Sequence, residues 1–384
     1  MYKKRVIYWA ACTGMLLFGI CLITLGSVAA DLREKLGLDE ISAGTLFSIL
    51  PLGILTGSLL FGPIADKYGY KILLAVCCIF MFVGFEGIAY APSISLLKLC
   101  IFLFGIGGGA INGSTNAMIA DLSEKDKGAN LSLLGVFFGI GALGMPLVSG
   151  ILDNQYGFEI ILSSLGILTL AAGIIFLIIR FPPPKQKHGF PLKLAVKLIR
   201  DNVLLVIAFF LFCQSGFEAI INNWTTTYLI DQQSIQPNKA LFGLSAFVAG
   251  MTIMRLLNGS LLRTVSLKKI LGASFIMIFS GLILLKAGNS FSVSLSGLVL
   301  LGAGLGSGFP VMLGIVGERF AEISGTAFSL VLTIALLGNT IVNYGMGIVA
   351  QNFGIKYLII FAFAETLIMT LLCLIILNRI KGRV

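Results

Sequence analysis

The sequence predicts an all-α integral membrane protein, with twelve transmembrane helices in two pseudo-symmetric six-helix bundles. Three observations carry this. Mean hydropathy over the 384 residues is +1.01 and only 11% are charged, where soluble domains carry about 25%. Apolar runs of roughly 20 residues, the length that crosses a ~30 Å hydrocarbon core, recur along the whole chain. The chain also repeats its own glycine pattern at an offset of 197 residues.

The elements follow in order. The start, MYKKRVIYWA, places basic residues before an apolar run, as a signal peptide would. The run is too long for one and ends in no small-residue cleavage site, so it reads as the first span, near 6–28. Spans 2 to 6 are expected near 42–62, 71–91, 95–119, 130–152 and 158–180. The polar stretch FPPPKQKHGFPLK, Phe181 to Lys193, then marks a linker over 181–202 between an N-terminal bundle, 1–180, and a C-terminal bundle, 203–384. Spans 7 to 12 are expected near 203–230, 240–262, 268–288, 293–316, 323–350 and 356–379. The 46 glycines suit close helix packing in lipid.

Eleven glycine pairs coincide at the 197-residue offset, from Gly19/Gly216 to Gly157/Gly354 and including Gly62/Gly259, Gly128/Gly325 and Gly141/Gly338. About three would coincide by chance, so the chain is an internal duplication. Six spans per repeat is even, which gives both halves the same orientation. Parallel halves of this kind are the layout of alternating-access transporters.

The formal charge of +10 is topological. With both termini and the linker in the cytosol, twenty of the 27 Lys and Arg fall on inner segments. Six fall outside (Arg33, Lys35, Lys98, Lys239, Lys286 and Lys356), and Arg255 lies within span 8. That asymmetry is the positive-inside pattern of a plasma or bacterial inner membrane protein, and it leaves nucleic-acid binding without support. The seven cysteines all fall within spans and have no metal spacing, and the single histidine, His188, is in the linker. No paired acids, histidine cluster or Ser–His set lies within the spans, so neither an enzyme nor a metal or other cofactor is expected.

Between spans 2 and 3 the chain reads GPIADKYGYK, Gly62 to Lys71. Gly62 permits close helix approach, Gly69 permits a tight turn, and Asp66 can meet a helix N-terminus or a basic partner. Such contacts would hold one end state closed, making Gly62, Asp66, Gly69 and Lys71 the expected gating residues. The second half keeps Gly259 and Lys268 but has Arg263 at the position of Asp66. This stretch fits G-x-x-x-D-[RK]-x-G-x-[RK] and resembles the signature of the major facilitator superfamily, a likeness that extends over the whole chain. Gly216 to Tyr228 (G-F-E-x-x-x-x-x-W-x-x-x-Y), AGMTIMRLLNG at Ala249 to Gly259 and GIGGGAINGSTN at Gly105 to Asn116 are similar to the sugar-porter branch that includes the fucose–proton symporters. That branch has acids within helices 1 and 4. Here helix 1 has none between Val6 and Val28, and helix 4 offers Asn112 and Asn116 instead.

Gln214, Glu218 and Asn222 recur at i, i+4 and i+8 and so share one stripe of span 7. Asn223 and Trp224 are read as extending it. A carboxylate within a span is costly in lipid and is expected to face an interior cavity. Amides and a carboxylate suit sugar hydroxyls, and an indole suits the apolar face of a pyranose. Asn112 and Asn116 on span 4 repeat the pattern, as do Asn339 and Asn343 on span 11 with Tyr344 beside them. Interhelical bonding is the competing account of all these amides. Glu86 and Glu365 are placed toward outer ends, as snorkelling or mouth residues. Arg255 is expected to have an acidic or amide partner, or to serve as a gate.

The expected function is proton-coupled uptake of a monosaccharide or similar hydroxylated solute by a monomeric carrier, with Glu218 both holding solute and carrying the proton. A sodium ion is the alternative coupling ion. Efflux of a lipophilic compound is the alternative transport reading, since GALGMPLVSG (Gly141 to Gly150) partly resembles a drug-antiporter motif. A transport-inactive sensor is the reading from another class.

Overall fold

In hydrocarbon every backbone N–H and C=O must pair within its own segment, so an apolar chain of this composition is driven to helix. A computed structural model describes residues 3–36, 40–184, 198–288 and 290–380, helical almost throughout. Most of the expected linker, including His188 and Lys185–Lys193, lies outside the described residues.

Among the described residues, twelve helices are long and apolar enough to span a bilayer. In the first half they are α1 (Lys4–Ser27), α2 (Glu40–Tyr68), α3 (Tyr70–Tyr90), α4 (Ile94–Leu122), α5 (Lys127–Met145) and α6 (Tyr156–Ile178). In the second half they are α7 (Asn202–Gln233), α8 (Pro237–Thr264), α9 (Leu267–Ala287), α10 (Phe291–Arg319), α11 (Ser324–Phe353) and α12 (Leu358–Ile380). A short helix, Ala29–Leu36, precedes α2. Its Lys35 bonds Glu159 at the start of α6 and the Ala89 carbonyl at the end of α3, both at 2.8 Å.

Two connections are tighter than the hydropathy pattern suggests. Helix runs from Lys127 to Ile178 with one non-helical residue, Gly157, at φ +70°. Its repeat mate Gly354 makes the α11–α12 turn at φ +93°. Span 10 was expected unbroken, but the helix stops at Leu305 and restarts at Gly308. The run GAGLGSGFP supplies the cause: four glycines followed by a proline stabilise helix poorly.

The chain divides into two compact units, and each takes a short segment from the opposite half of the sequence. One unit holds Met1–Ser123 and Phe137–Ala195 together with Phe320–Leu330, the start of α11. The other holds Val196–Arg319 and Val331–Val384 together with Glu124–Val136, the start of α5.

In the first unit α4 is central, packed on α1, α2 and α3. Its glycines explain how. Gly105 and Gly109 lie against the α2 backbone at Leu50 and Ile54, Gly107 against α3 at Cys77, and Gly108 against Cys21 of α1. In the second unit α7 packs on α8, α10 and α12, and Gly338 of α11 meets the α7 backbone at Phe212.

Candidate functional site

The stripe on α7 is graded along the helix. Gln214 is fully buried and its Nε2 donates to the Leu305 carbonyl at 2.8 Å. That carbonyl ends the first half of α10, where the break leaves it without its helical partner. Gln214 is thus held to α10, the interhelical role that competes with solute contact. Its Oε1 lies over Gly308, where any side chain would collide with it.

One turn on, Glu218 is half-buried and interacts electrostatically with Arg255 of α8, itself buried. Gln214 Oε1 and Glu218 Oε1 are both shielded from solvent and accept no hydrogen bond of normal geometry, although the Gln214 side chain interacts with the Glu218 carboxyl. Asn222 and Asn223 beyond them are exposed.

Trp224 does not continue the stripe. It lies two residues past Asn222, about 200° around a helix, and turns to α11. There its Nε1 donates to Asn343 Oδ1 at 2.9 Å, and its ring lies 3.6 Å from where a Cβ on Gly347 would be. Asn339, one turn earlier on α11, donates to the Ser215 carbonyl of α7 at 3.3 Å. These two asparagines therefore join α7 to α11, and Tyr344 beside them is exposed.

Arg255 is placed by α5 as well as α8. A Cβ on Gly135 would approach the Arg255 Cδ to 3.0 Å, so the side chain lies along that glycine. Ser132, a turn earlier on α5, donates to the Arg255 carbonyl at 2.7 Å. Neighbouring Asn258 is buried and donates to Ser307 Oγ at 3.0 Å, inside the α10 break. Sequence reasoning missed Asn258 and the break together, although the glycine run was the available signal.

In the first unit, Asn116 is buried and its Nδ2 donates to both the carbonyl and Oδ1 of Asn112, at 2.8 and 3.0 Å. The pair is bonded along α4 and projects between the faces that carry α1 and α2. Glu86 accepts from Ser163 of α6 at 3.0 Å. Glu365 departs from the expectation: it is buried well inside α12 and not at a mouth.

The stretch from Gly62 to Lys71 meets the start of α11. Asp66 is 1% exposed, and its Oδ2 accepts from Thr326 N at 2.8 Å and Thr326 Oγ1 at 2.6 Å, at the start of α11. Gly62, one turn earlier, lies under the Gly325 backbone, where a side chain would collide. Gly69 has φ +80° at the α2–α3 turn, and Lys71 is exposed at the start of α3. Ser324 donates to Asp121 Oδ1 at 2.6 Å, and Tyr70 donates to Asp121 Oδ2 at 2.7 Å.

Against known proteins, the family model described as Major Facilitator Superfamily matches residues 11–263. A curated relative, the uncharacterized transporter y4wD of Sinorhizobium fredii, is 24% identical over 88% of this chain and 89% of its own. The 4-hydroxybenzoate transporter PcaK of Pseudomonas putida is 28% identical, over 42% of this chain and 36% of its own. The solved structure of the E. coli fucose:proton symporter FucP superposes with a TM-score of 0.79 at 17% identity, covering 97% of this chain and 99% of that one.

Proposed function

The chain belongs to the major facilitator superfamily of transporters, and we propose that it takes up a monosaccharide or similar hydroxylated solute together with a proton. One observation carries this reading: two buried acceptors, Gln214 Oε1 and Glu218 Oε1, stand one turn apart on α7 and accept no hydrogen bond of normal geometry. A polyol brings hydroxyl donors to such a site, whereas a lipophilic drug brings few. The exposed amides Asn222 and Asn223 extend the polar surface, and the half-buried Trp224 offers an apolar ring within reach of α11.

The mechanism follows from the charges. Glu218 and Arg255 stabilise each other while the carboxylate is ionised. A proton on Glu218 removes that attraction, frees α7 from α8 and turns the carboxyl into a hydroxyl donor and acceptor for solute. Release of the solute returns the carboxylate to Arg255 and expels the proton. Asp66 biases the equilibrium between states without touching solute. In this reading both termini are cytosolic and the membrane is the plasma, or bacterial inner, membrane. Accessibility labelling that finds Lys185–Lys193 on the outer face would overturn the orientation.

The test is thermal unfolding of the purified protein with a panel of monosaccharides including fucose, and with 4-hydroxybenzoate. A sugar at 100 times its Kd adds about 2.7 kcal/mol of stability. Stabilisation by 4-hydroxybenzoate alone replaces the sugar with an aromatic carboxylate facing Arg255. Once a solute is found, Glu218→Gln, which resembles the protonated carboxyl, should change its binding by no more than about 0.5–1.5 kcal/mol, the value of one neutral hydrogen bond. It should also abolish accumulation driven by a proton gradient and leave downhill exchange intact. Pumping at the normal rate in that variant removes Glu218 from coupling.

A further inference from the structure

Glu365 is the acid that the mechanism above leaves unused. It lies ten residues into the span Ile355–Arg379, about 15 Å along the helix. That depth is close to the middle of a ~30 Å hydrocarbon core. The residue is 5% exposed, and neither carboxyl oxygen has a hydrogen-bond partner.

Its place is defined by a glycine. A Cβ on Gly216 of α7 would come within 2.9 Å of Glu365 Oε1 and 2.6 Å of Val342 Cβ of α11. The carboxyl therefore occupies the space that any other residue at 216 would fill. Elements packed on α12 bring little charge to it. From α7 the titratable neighbour is Cys213, which Glu365 influences electrostatically. From α9 there is Phe279, stacked on Phe363, while Lys286 lies exposed in the last turn. From the turn before α12 there is Lys356, exposed over the Tyr357 ring, and from α11 the exposed Tyr344. Among the described residues no cation pairs with Glu365.

A carboxylate stripped of water, donors and counter-charge is far more costly than a neutral carboxyl in the same place. We infer that Glu365 is a proton-binding site, separate from Glu218: it holds a proton while α12 is closed on α7 at Gly216. It passes that proton to water when the seam opens. The step is an acid–base exchange, with the Oε–H bond broken and hydronium formed, so nothing else is consumed. Gly216 and Glu218 are two residues apart on one helix. A solute that moves α7 at Glu218 therefore also moves the wall of the Glu365 site. Participation in coupling rests on the carrier reading above; proton binding does not.

Infrared difference spectra of the full-length protein in lipid nanodiscs, titrated with alkali, test this without any solute. At neutral pH the wild type should show a buried carboxylic acid band that Glu365→Gln removes and Glu218→Gln retains. Glu365→Asp should shift the band, and Gly216→Ala, which crowds the carboxyl, should move its titration. Because a protonated Glu and a Gln are nearly isosteric, Glu365→Gln should fold and melt at or above the wild-type temperature. A neutral-pH spectrum unchanged by both Glu365 variants, or a large drop in melting temperature with Gln, would mean that the group is ionised and would overturn the proposal. A failed sugar screen would count against the solute reading alone, since the spectrum needs none.

Discussion

The start of α11 in one unit and the start of α5 in the other are the same piece of the duplicated sequence, docked in the same way on different chemistry. Ser329 of α11 donates to the carbonyls of Ser58 and Leu59 on α2, at 2.6 and 2.7 Å. Its mate at the 197-residue offset, Ser132 of α5, donates to the carbonyl of Arg255 on α8 at 2.7 Å, and Arg255 is the mate of Ser58. Gly62 lies under Gly325, and its mate Gly259 lies against Leu133. The difference comes one turn later. Asp66 is buried and takes up a backbone N–H at the start of α11. Arg263 stands at the same register with 45% of its side chain exposed. Its Nη2 bonds Asn130 at 2.8 Å, and Nη1 lies 3.9 Å from Asp126.

The sign of the charge explains the split. A helix N-terminus presents unpaired N–H donors and partial positive charge, so a carboxylate can close on the backbone itself. A guanidinium is repelled by that pole and has only donors, so it takes the Gly259 carbonyl of its own helix and side-chain oxygens that stand further out in water. The acid makes a buried backbone lock and the base makes a surface clasp, from one ancestral geometry.

The comparison predicts unequal consequences. Asp66→Asn keeps an acceptor but loses the charge that assists two buried bonds. It should cost about 2–3 kcal/mol, read as a lower melting temperature and faster hydrogen exchange over 324–330, with solute binding retained. Loss of binding with normal exchange there would mean that Asp66 does something other than hold α11.

A third acid at a helix start gives the scale. Asp201 caps its own helix, its Oδ1 accepting from Val203 N and Leu204 N at 2.9 Å, and its Oδ2 accepts from Arg319 at 2.8 Å. Burial raises its carboxyl pKa, but the Arg319 guanidinium and the two backbone N–H groups outweigh burial and hold it below the usual carboxylate range. A depressed folded pKa means that the contribution is whole above the unfolded value near 3.9 and fades as pH falls through the lower folded value. The melting temperature of wild type minus that of Asp201→Asn should therefore be flat above about pH 5. It should shrink on acidification, from a starting effect of about 1 kcal/mol. A difference that grows on acidification would reverse the assignment.

Arg263→Ala should do least, below about 1 kcal/mol and less again in high salt, because its partners are solvated. If it matches Asp66→Asn in size, the two docking sites are equivalent and the contrast between lock and clasp is wrong.

Much of this was legible in the sequence. Apolar length gave the twelve spans, and the glycine register showed two halves before any coordinates. That Asp66 can meet a helix N-terminus was legible, but the loop expected at Gly62 and Asp66 is the last turns of α2, which runs on to Tyr68. The amides were harder. Asn339 and Trp224 are joined to partners on neighbouring helices, and no spacing along one helix says which neighbour will be there. The polar stripe fixed a face for Gln214 but not its attachment to Leu305, because the orphaned carbonyl exists only through the break in α10. Glu365 was placed near a mouth when its ten-residue distance from Ile355 already argued for depth.

The short glycine turns at Gly157 and Gly354 have a consequence for how the protein is made. Between α5 and α6 the helix is interrupted only at Gly157, and between α11 and α12 only Gly354 and one 3-10 turn, Ile355–Tyr357, intervene. Inserting the two helices of each pair together, as a hairpin turned at its glycine, avoids opening and remaking so short a connection. A side chain there, strained at positive φ, would show its damage first during biogenesis, as protein that never reaches the membrane.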